Sequence, residues 1–313
     1  MKKWLVPLGI FSFFALAVGV VLFVPSVKSG VIETMRGTVK DTNLVVKPVE
    51  EPTVEYVSSD NTTTDSEITT DDGGEIAEMI PTLEIKVLPT KGDALIVKEG
   101  NAVALINAGF KSDVPVILSE LKKLGVKRLK YIVSLNNHSS SVGGLTGVAD
   151  AIDVDYILLS GSSEARKESL SFVKYLNKEK LLWSVPSDNA KYRLKNAYLE
   201  LKSTTRTGSL YASVVNGVSR FTAIGTTIHF PKESVSKVGK SDILLLNTSS
   251  QGYKLDASVV SGVAPRELVV NDIYGNKVEA IKKTYSSDKL KITEVAKGKA
   301  KTIYSDGKEF RIE

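Results

Sequence analysis

The sequence predicts a mixed α/β domain that follows an N-terminal membrane-spanning helix. After Pro81, segments typical of strands alternate with segments typical of helices, which favours packed α/β layers. Near the start of the chain, the run Trp4–Val27 is apolar and carries no charge. With 313 residues, of which 42% are hydrophobic and 25% charged, the chain has an ordinary globular composition and the length for one large domain with accessory segments.

Residues 1–28 are predicted to be a membrane anchor. Lys2 and Lys3 precede the run Trp4–Val27, which at about 1.5 Å per residue is long enough to cross a hydrocarbon core of about 30 Å. A cleavable signal peptide with its cleavage site near Ser29 is the alternative, but the apolar run exceeds the roughly 7–15 residues usual for one. Since lysines precede the run, the positive-inside rule places the N-terminus in the cytoplasm. We therefore expect a single-pass protein of the cell membrane whose C-terminal domain is extracytoplasmic.

Residues 29–80 are predicted to be an acidic tether, and residues 81–313 a basic domain. From Asp41 to Ile80 the chain has eleven acidic residues and one lysine among runs of Thr and Ser, which is typical of a solvated segment. The whole chain carries +5, residues 1–40 carry +4 and residues 41–80 carry −10, so the part from Pro81 onward carries +11. The chain has no cysteine, which excludes disulfides and thiolate metal sites.

Hydrophobic periodicity and capping signals predict the helices of the domain. Ser112 and Asp113 are expected to cap a helix that runs from about Val114 to Leu124. A second helix is expected near Glu164–Lys178, and a short one from Leu145.

Strands are predicted where β-branched, aromatic and aliphatic residues concentrate. They are expected at Leu83–Leu88, Leu129–Leu135, Tyr156–Leu159, Tyr198–Leu201, Tyr211–Val215, Phe221–Ile224 and Ile243–Leu246. At the end of the chain, Lys301–Ile312 alternates around Asp306-Gly307, a hairpin turn signal. The chain is therefore expected to close with a β-hairpin at a sheet edge.

Four segments of the domain, taken in order, resemble a known family. They are Gly92-Asp93-Ala94-Leu95-Ile96-Val97, Leu105-Ile106-Asn107-Ala108-Gly109, the helix and turn of Leu118–Lys130, and the loop Tyr131–Leu145 with its Gly143-Gly144 pair. Over roughly residues 83–312 the chain resembles the metallo-β-lactamase superfamily, and most closely the metallo-β-lactamase-like domain of bacterial competence DNA-uptake channel proteins. The resemblance implies a four-layer αββα sandwich, whereas the pattern alone supports only a mixed α/β fold.

The resemblance also implies where metal ligands would stand. The family's ligand loop reads Thr-His-x-His-x-Asp-His-x-Gly-Gly, and its four ligand positions fall here on Asn136, His138, Ser140 and Ser141. Asn107 replaces the family's usual aspartate, and Thr226 stands at the position of the bridging carboxylate. The segment Asp242–Ser249 lacks the family's His-His pair. The ligand set is degenerate, because only His138 is retained.

The residue count limits any metal chemistry. The chain has two histidines, His138 and His229, while a catalytic zinc needs three protein ligands and an open position for water. We therefore expect no metal, no cofactor and no catalytic residue, and a pseudoenzyme that acts as a binding or scaffolding module. The alternatives are a metal-dependent hydrolase with an unconventional mononuclear site, built from His138, His229 and a carboxylate such as Asp113, and a structural component of a cell-envelope assembly.

The serines of the loop have three interpretations. Backbone N–H groups around Ser139, Ser140 and Ser141 would bind an anion such as phosphate, together with Gly143 and Gly144, or the serines would cap a helix. A serine nucleophile is disfavoured, because no Gly-x-Ser-x-Gly elbow is present and adjacent residues of an extended stretch point apart. The glycine pair is expected to allow close backbone approach or a positive φ.

Two basic clusters suggest a partner. One spans Lys122–Lys130 and the other Lys282–Lys301. Lysine and arginine contact phosphates regardless of sequence, so DNA or an anionic cell-wall polymer is an expected partner, alongside other envelope proteins. Ordinary solvated faces are the alternative interpretation.

Overall fold

The computed structural model describes residues 80–161, 166–204, 208–224, 235–247, 257–272, 278–285 and 290–313. The predicted anchor, residues 1–28, and all but the last residue of the predicted tether lie outside this part of the chain. Within the described part, no helix has the length and apolar character needed to cross a membrane.

Fifteen strands are found in the described residues. They are β1 Leu83–Val87, β2 Leu95–Glu99, β3 Ala102–Ile106, β4 Arg128–Ser134, β5 Asp153–Leu159, β6 Trp183–Ser184, β7 Ala190–Arg193, β8 Tyr198–Ser203, β9 Leu210–Asn216, β10 Ser219–Ala223, β11 Ile243–Asn247, β12 Glu267–Asn271, β13 Lys291–Val295, β14 Lys301–Ser305 and β15 Phe310–Ile312.

The same residues contain seven α-helices and a 3₁₀ turn at Lys111–Asp113. The helices are α1 Val114–Lys123, α2 Ser139–Val142, α3 Leu145–Ala151, α4 Lys167–Lys178, α5 Val235–Val238, α6 Ala257–Val263 and α7 Val278–Tyr285.

The strands form two sheets. Sheet A has the order β15-β14-β1-β2-β3-β4-β5-β6, and sheet B has the order β13-β12-β11-β10-β9-β8-β7, counting described strands. In each sheet one half is antiparallel and the other parallel: β3 to β6 run parallel in sheet A, and β10 to β13 run parallel in sheet B. Ligand sites of α/β proteins commonly lie at the carboxyl ends of parallel strands, which here are the ends of β3, β4 and β10 to β12.

Three hydrophobic clusters define four layers. The central cluster fills the space between the sheets and includes Val97 and Val133 of sheet A and Val214 and Phe221 of sheet B. A second cluster packs α1, α3 and α4 against the other face of sheet A, and a third packs α5, α6 and α7 against the other face of sheet B. Alternation along each strand supplies both faces, as Ile96 points to the helices while Val97 points between the sheets. The architecture is therefore the expected αββα sandwich.

Most predicted elements are confirmed within a few residues. The helix predicted for residues 114–124 is α1, the short helix begins at Leu145 as expected, and the terminal hairpin is the antiparallel pair β14–β15 at the edge of sheet A. The second predicted helix begins at Lys167 among the described residues, whereas residues 162–165 lie outside them. The expected side-chain cap of α1 is wrong: Asp113 occupies the N-cap position, but its carboxylate makes no capping hydrogen bond.

Candidate functional site

The loop predicted to carry the ligand positions follows β4 and lies at the carboxyl ends of β3 and β4. Asn107 comes directly after β3 with a φ of 57°, in the left-handed region that asparagine tolerates better than most residues. Its Oδ1 accepts a hydrogen bond from the N–H of Leu135 at 2.8 Å, and its own N–H donates to the carbonyl of Val133 at 2.7 Å. Asn107 thus joins the ends of two parallel strands.

Asn136, which the resemblance aligns with the first ligand histidine, stabilises the turn that follows. Its Oδ1 accepts from the N–H of His138 at 2.8 Å, and its carbonyl accepts from the hydroxyl of Ser134 at 2.7 Å. Asn136 is 5% exposed and Asn107 1% exposed. Within the described part of the chain, the buried Nδ2 of each has no hydrogen-bond partner.

His138 is the N-cap residue of α2. Its Nδ1 accepts a hydrogen bond from the N–H of Ser140 at 3.2 Å and lies 2.8 Å from the Ser140 hydroxyl. The structure therefore pairs His138 with Ser140 and not with its neighbour Ser139, because residues 139–142 form a helical turn where an extended stretch was expected. Ser140 is completely buried, so this pair does not present a nucleophile to a substrate.

Asp93 ties the loop to the start of β2. Its carboxylate accepts from the hydroxyl of Ser141 at 3.3 Å, and its N–H donates to the carbonyl of Ser140 at 2.8 Å. Ser141 is fully buried, and its carbonyl accepts from the N–H of Ala108 at 2.8 Å. The sequence offered Asp93 only as part of a pattern, because its contact with Ser141 joins residues 48 positions apart.

Four of the five backbone donors proposed for anion binding, all except the N–H of Ser139, are used within the protein. The N–H groups of Ser141 and Gly143 donate to the carbonyls of His138 and Ser139, and that of Gly144 donates to Gly109. Both glycines permit close approach: an added Cβ would lie 2.5 Å from the Ser139 oxygen at Gly143 and 2.1 Å from the Ala108 oxygen at Gly144. Neither has a positive φ, so close approach is the reason for the pair.

The two sheets meet beside this loop at a small cavity of about 10 Å³ that both polar and apolar residues line. Asp93 and Asn107 line it from sheet A, and Ala223, Leu245 and Asn271 line it from the ends of β10, β11 and β12. A volume of this size accommodates about one water molecule and is too small for an organic substrate. Asn271, which no sequence signal indicated, also donates to the carbonyl of Leu88 at 3.4 Å.

Among the described residues, the donor set beside the loop does not fit the family's dinuclear centre. Amide Nδ2 groups are not metal ligands, and in the described residues no group of three or more His, Cys, Asp or Glu side chains is arranged to hold an ion. The Asp113 carboxylate, proposed for a mononuclear site, accepts backbone hydrogen bonds from Lys91, Gly92 and Phe110 at 2.9–3.0 Å. Thr226, His229 and the segment 248–249 lie outside the described residues.

Comparison with known proteins bears on the fold. No family model and no curated protein matches the chain. The metallo-β-lactamase fold protein YhfI from Bacillus subtilis is similar with a TM-score of 0.52 at 10% identity, over 70% of this chain and 98% of that one. A putative metal-dependent hydrolase from Parabacteroides distasonis has a TM-score of 0.47 at 13% identity, over 68% and 92% of the chains. Igni18, a metallo hydrolase from Ignicoccus hospitalis, has a TM-score of 0.46 at 11% identity, over 70% and 97%. Together with the two sheets and four layers, the likeness to YhfI shows that the domain has the metallo-β-lactamase fold.

Proposed function

We propose that this chain is a membrane-anchored, extracytoplasmic pseudoenzyme of the metallo-β-lactamase fold, which binds or scaffolds an anionic polymer such as DNA or a cell-wall polymer. The anchor and the location rest on the apolar run Trp4–Val27 and the lysines before it. The degenerate ligand set and the relation to DNA-uptake channel proteins rest on the order of segments around the loop. The polymer partner rests on the charge of +11 from Pro81 onward.

One observation carries the pseudoenzyme proposal. At the positions where the resemblance places metal ligands, the side chains of Asn107, Asn136, Ser140 and Ser141 are neutral and buried, and their oxygens take part in hydrogen bonds that hold the loop. A zinc site needs three anionic or imidazole ligands and an open position for water. The loop instead keeps its shape through amide and hydroxyl hydrogen bonds, which need no metal ion.

The test is metal analysis of the full chain, purified in a neutral detergent without chelators, combined with nuclease and esterase assays. We expect metal well below one ion per chain after incubation with zinc or manganese, and no turnover above a buffer control. Stoichiometric zinc or manganese together with turnover would overturn the proposal. Binding of labelled DNA at low salt is measured on the same preparation. Unchanged DNA mobility would contradict DNA binding and leave the pseudoenzyme proposal as it is.

A metal-dependent hydrolase with a mononuclear site is the competing function. His138 would be its imidazole ligand, but Asp113 is occupied by three backbone donors and is a poor third ligand. The variant His138→Ala separates the two proposals. If any hydrolytic activity is found and this variant abolishes both the activity and metal retention, the hydrolase is favoured.

A further inference from the structure

The two basic clusters of the sequence differ once their contacts are known. In the first cluster, Lys123 pairs with Glu120 at 2.6 Å, and Arg128 contacts Asp155 at 2.6 Å and Asp153 at 3.5 Å. Lys130 donates to the carbonyl of Leu194 at 2.9 Å and lies over the ring of Tyr131. Lys123, Arg128 and Lys130 are therefore neutralised by neighbouring carboxylates or used within the fold, which leaves Lys122 and Lys127 of this cluster exposed and without an ion pair to a described carboxylate.

The second cluster divides into a paired part and an unpaired part. Lys282 contacts Glu279 at 2.7 Å, and Lys291 contacts Glu267 at 3.3 Å. The other four described lysines, Lys283, Lys297, Lys299 and Lys301, make no ion pair with any described carboxylate, and the last three of them lie within five residues of one another. No acidic residue occurs in the sequence between Glu294 and Asp306, so the charge of these three lysines has no neutralising neighbour along the chain.

The three lysines lie at one corner of the sandwich, which we call the lysine corner and define as residues 296–301. It connects β13, the edge strand of sheet B, to β14 of sheet A. The N–H of Lys299 donates to the carbonyl of Ala296 at 3.1 Å, which closes a β-turn, and Gly298 has a φ of 76° at the third position, as a type II turn requires. Lys297 and Lys299 are exposed, and the lysines alternate with Ala296, Gly298 and Ala300, which are too small to shield them.

We propose that the lysine corner is the contact surface for a phosphodiester polymer, through its phosphates and without sequence recognition. This inference rests on the proposed function, in which the chain binds an anionic polymer, and it assigns the surface to which that polymer binds. Exposed lysines without carboxylate partners lose no ion pair when a phosphate binds, and each contact releases counterions from the polymer. The paired cations of the first cluster would have to exchange a carboxylate for a phosphate, which gains little.

Two triple variants that remove the same charge test the assignment. Lys297→Gln, Lys299→Gln and Lys301→Gln neutralise the lysine corner, and Lys123→Gln, Arg128→Gln and Lys282→Gln remove three charges that are paired with carboxylates. A Lys297→Arg, Lys299→Arg, Lys301→Arg variant keeps the charge of the corner. Each is prepared as full chain in neutral detergent, and its binding to a labelled single-stranded oligonucleotide and to poly(glycerol phosphate) is measured by fluorescence anisotropy across a salt series.

We expect the corner glutamine variant to bind about tenfold or more weakly at low salt, with a salt slope lower by about two, as roughly three lost phosphate contacts predict. The variant that removes paired cations is expected to lose less than threefold, and the arginine variant to bind as the parent does. Equal weakening by the two glutamine variants would overturn the inference, because only net charge would then matter. If the parent binds neither polymer, the proposed binding of an anionic polymer and this inference both fail. The pseudoenzyme proposal is unaffected, because metal analysis tests it separately. The stronger of the two ligands identifies the source of the phosphodiester.

Discussion

His138 is the histidine of the loop after β4, and its imidazole has a structural role. Nδ1 caps α2 by accepting from the N–H of Ser140, which leaves the ring in the tautomer that accepts at this nitrogen. We expect His138→Ala to lower the free energy of unfolding by about 1 kcal/mol, the usual loss when a cap is removed. His138→Asn should retain most of the stability, because Asn supplies a side-chain oxygen at the cap.

Urea unfolding of the full chain in neutral detergent, followed by circular dichroism, measures both variants. Equal destabilisation by alanine and asparagine would show that the imidazole does more than accept a hydrogen bond. The readout is stability, so it does not depend on whether an activity is ever found.

The carboxylate of Asp113 organises the backbone beside the loop. Its Oδ1 accepts from the N–H of Lys91, and its Oδ2 accepts from those of Gly92 and Phe110. Asparagine offers one oxygen, and its amide group would face an N–H donor. We therefore expect Asp113→Asn to cost about 2 kcal/mol of stability, measured by the same urea unfolding. Asp155→Asn, which weakens an exposed pair with Arg128, is the control and should cost less than about 1 kcal/mol. Similar losses in the two variants would contradict a special role for Asp113.

At the scale of elements, the sequence predicts strands and helices with strong patterns and misses the others. β8, β10 and α1 are recognisable because apolar residues recur with the period of a strand or a helix. β12, with the sequence Glu-Leu-Val-Val-Asn, is a short apolar run that periodicity alone does not distinguish from part of a buried helix. The positions of the site residues along the chain could be predicted from the order of segments. The contact of Asp93 with Ser141 and the proximity of Asn271 could not, because they depend on how separate strands are brought together.

The outer face of sheet B carries an ion pair that spans β9. Glu200 of β8 contacts Arg220 of β10 at 2.5 Å, and Lys202 lies 3.5 Å from the same carboxylate. Burial would raise the pKa of Glu200, but the hydrogen bond and the charge of Arg220, together with nearby lysines, hold it below its ordinary value of 4.5. Because the folded pKa is the lower one, the stabilisation is complete above the unfolded value and is lost as the pH falls through the folded value.

The free energy of unfolding of the parent should fall as the pH is lowered, and we expect Glu200→Gln to remove part of this fall. Unfolding free energies of the parent and the variant, measured from about pH 6 down to about pH 3, should converge as the pH falls below the unfolded value of about 4.3. A constant difference between them over that range would mean that the charge of Glu200 contributes nothing to folding.

For the molecule as a whole, polar links beyond the central core hold sheet A against sheet B. Glu99, at the end of β2, accepts from the backbone N–H groups of Lys195, Asn196 and Ala197 in the turn between β7 and β8, at 2.9–3.0 Å. Asn216, at the end of β9, donates to the hydroxyl of Thr82 at 3.2 Å, beside β1. These links fix the relative position of the sheets, and with it the position of the loop at the ends of β3 and β4 relative to β10 to β12.

A further contact between the sheets joins two turns and depends on glycine. Gly217, between β9 and β10, has a φ of 55°, and a Cβ placed there would lie 2.3 Å from the carbonyl oxygen of Gly307 in the β14–β15 turn. The same oxygen accepts from the N–H of Val218 at 2.9 Å. Gly100 is a matched control, because its φ is 58° and an added Cβ would meet nothing within 4 Å.

We expect Gly100→Ala to cost about 1 kcal/mol from backbone strain alone. Gly217→Ala should cost roughly 1–3 kcal/mol more, because the clash pushes the two turns apart. Urea unfolding gives both values, and the loss of the Val218 hydrogen bond should appear as faster amide exchange at that residue in the Gly217 variant only. If the two alanine variants lose the same stability, the turns separate without cost, and the contact between them does not hold the sheets together.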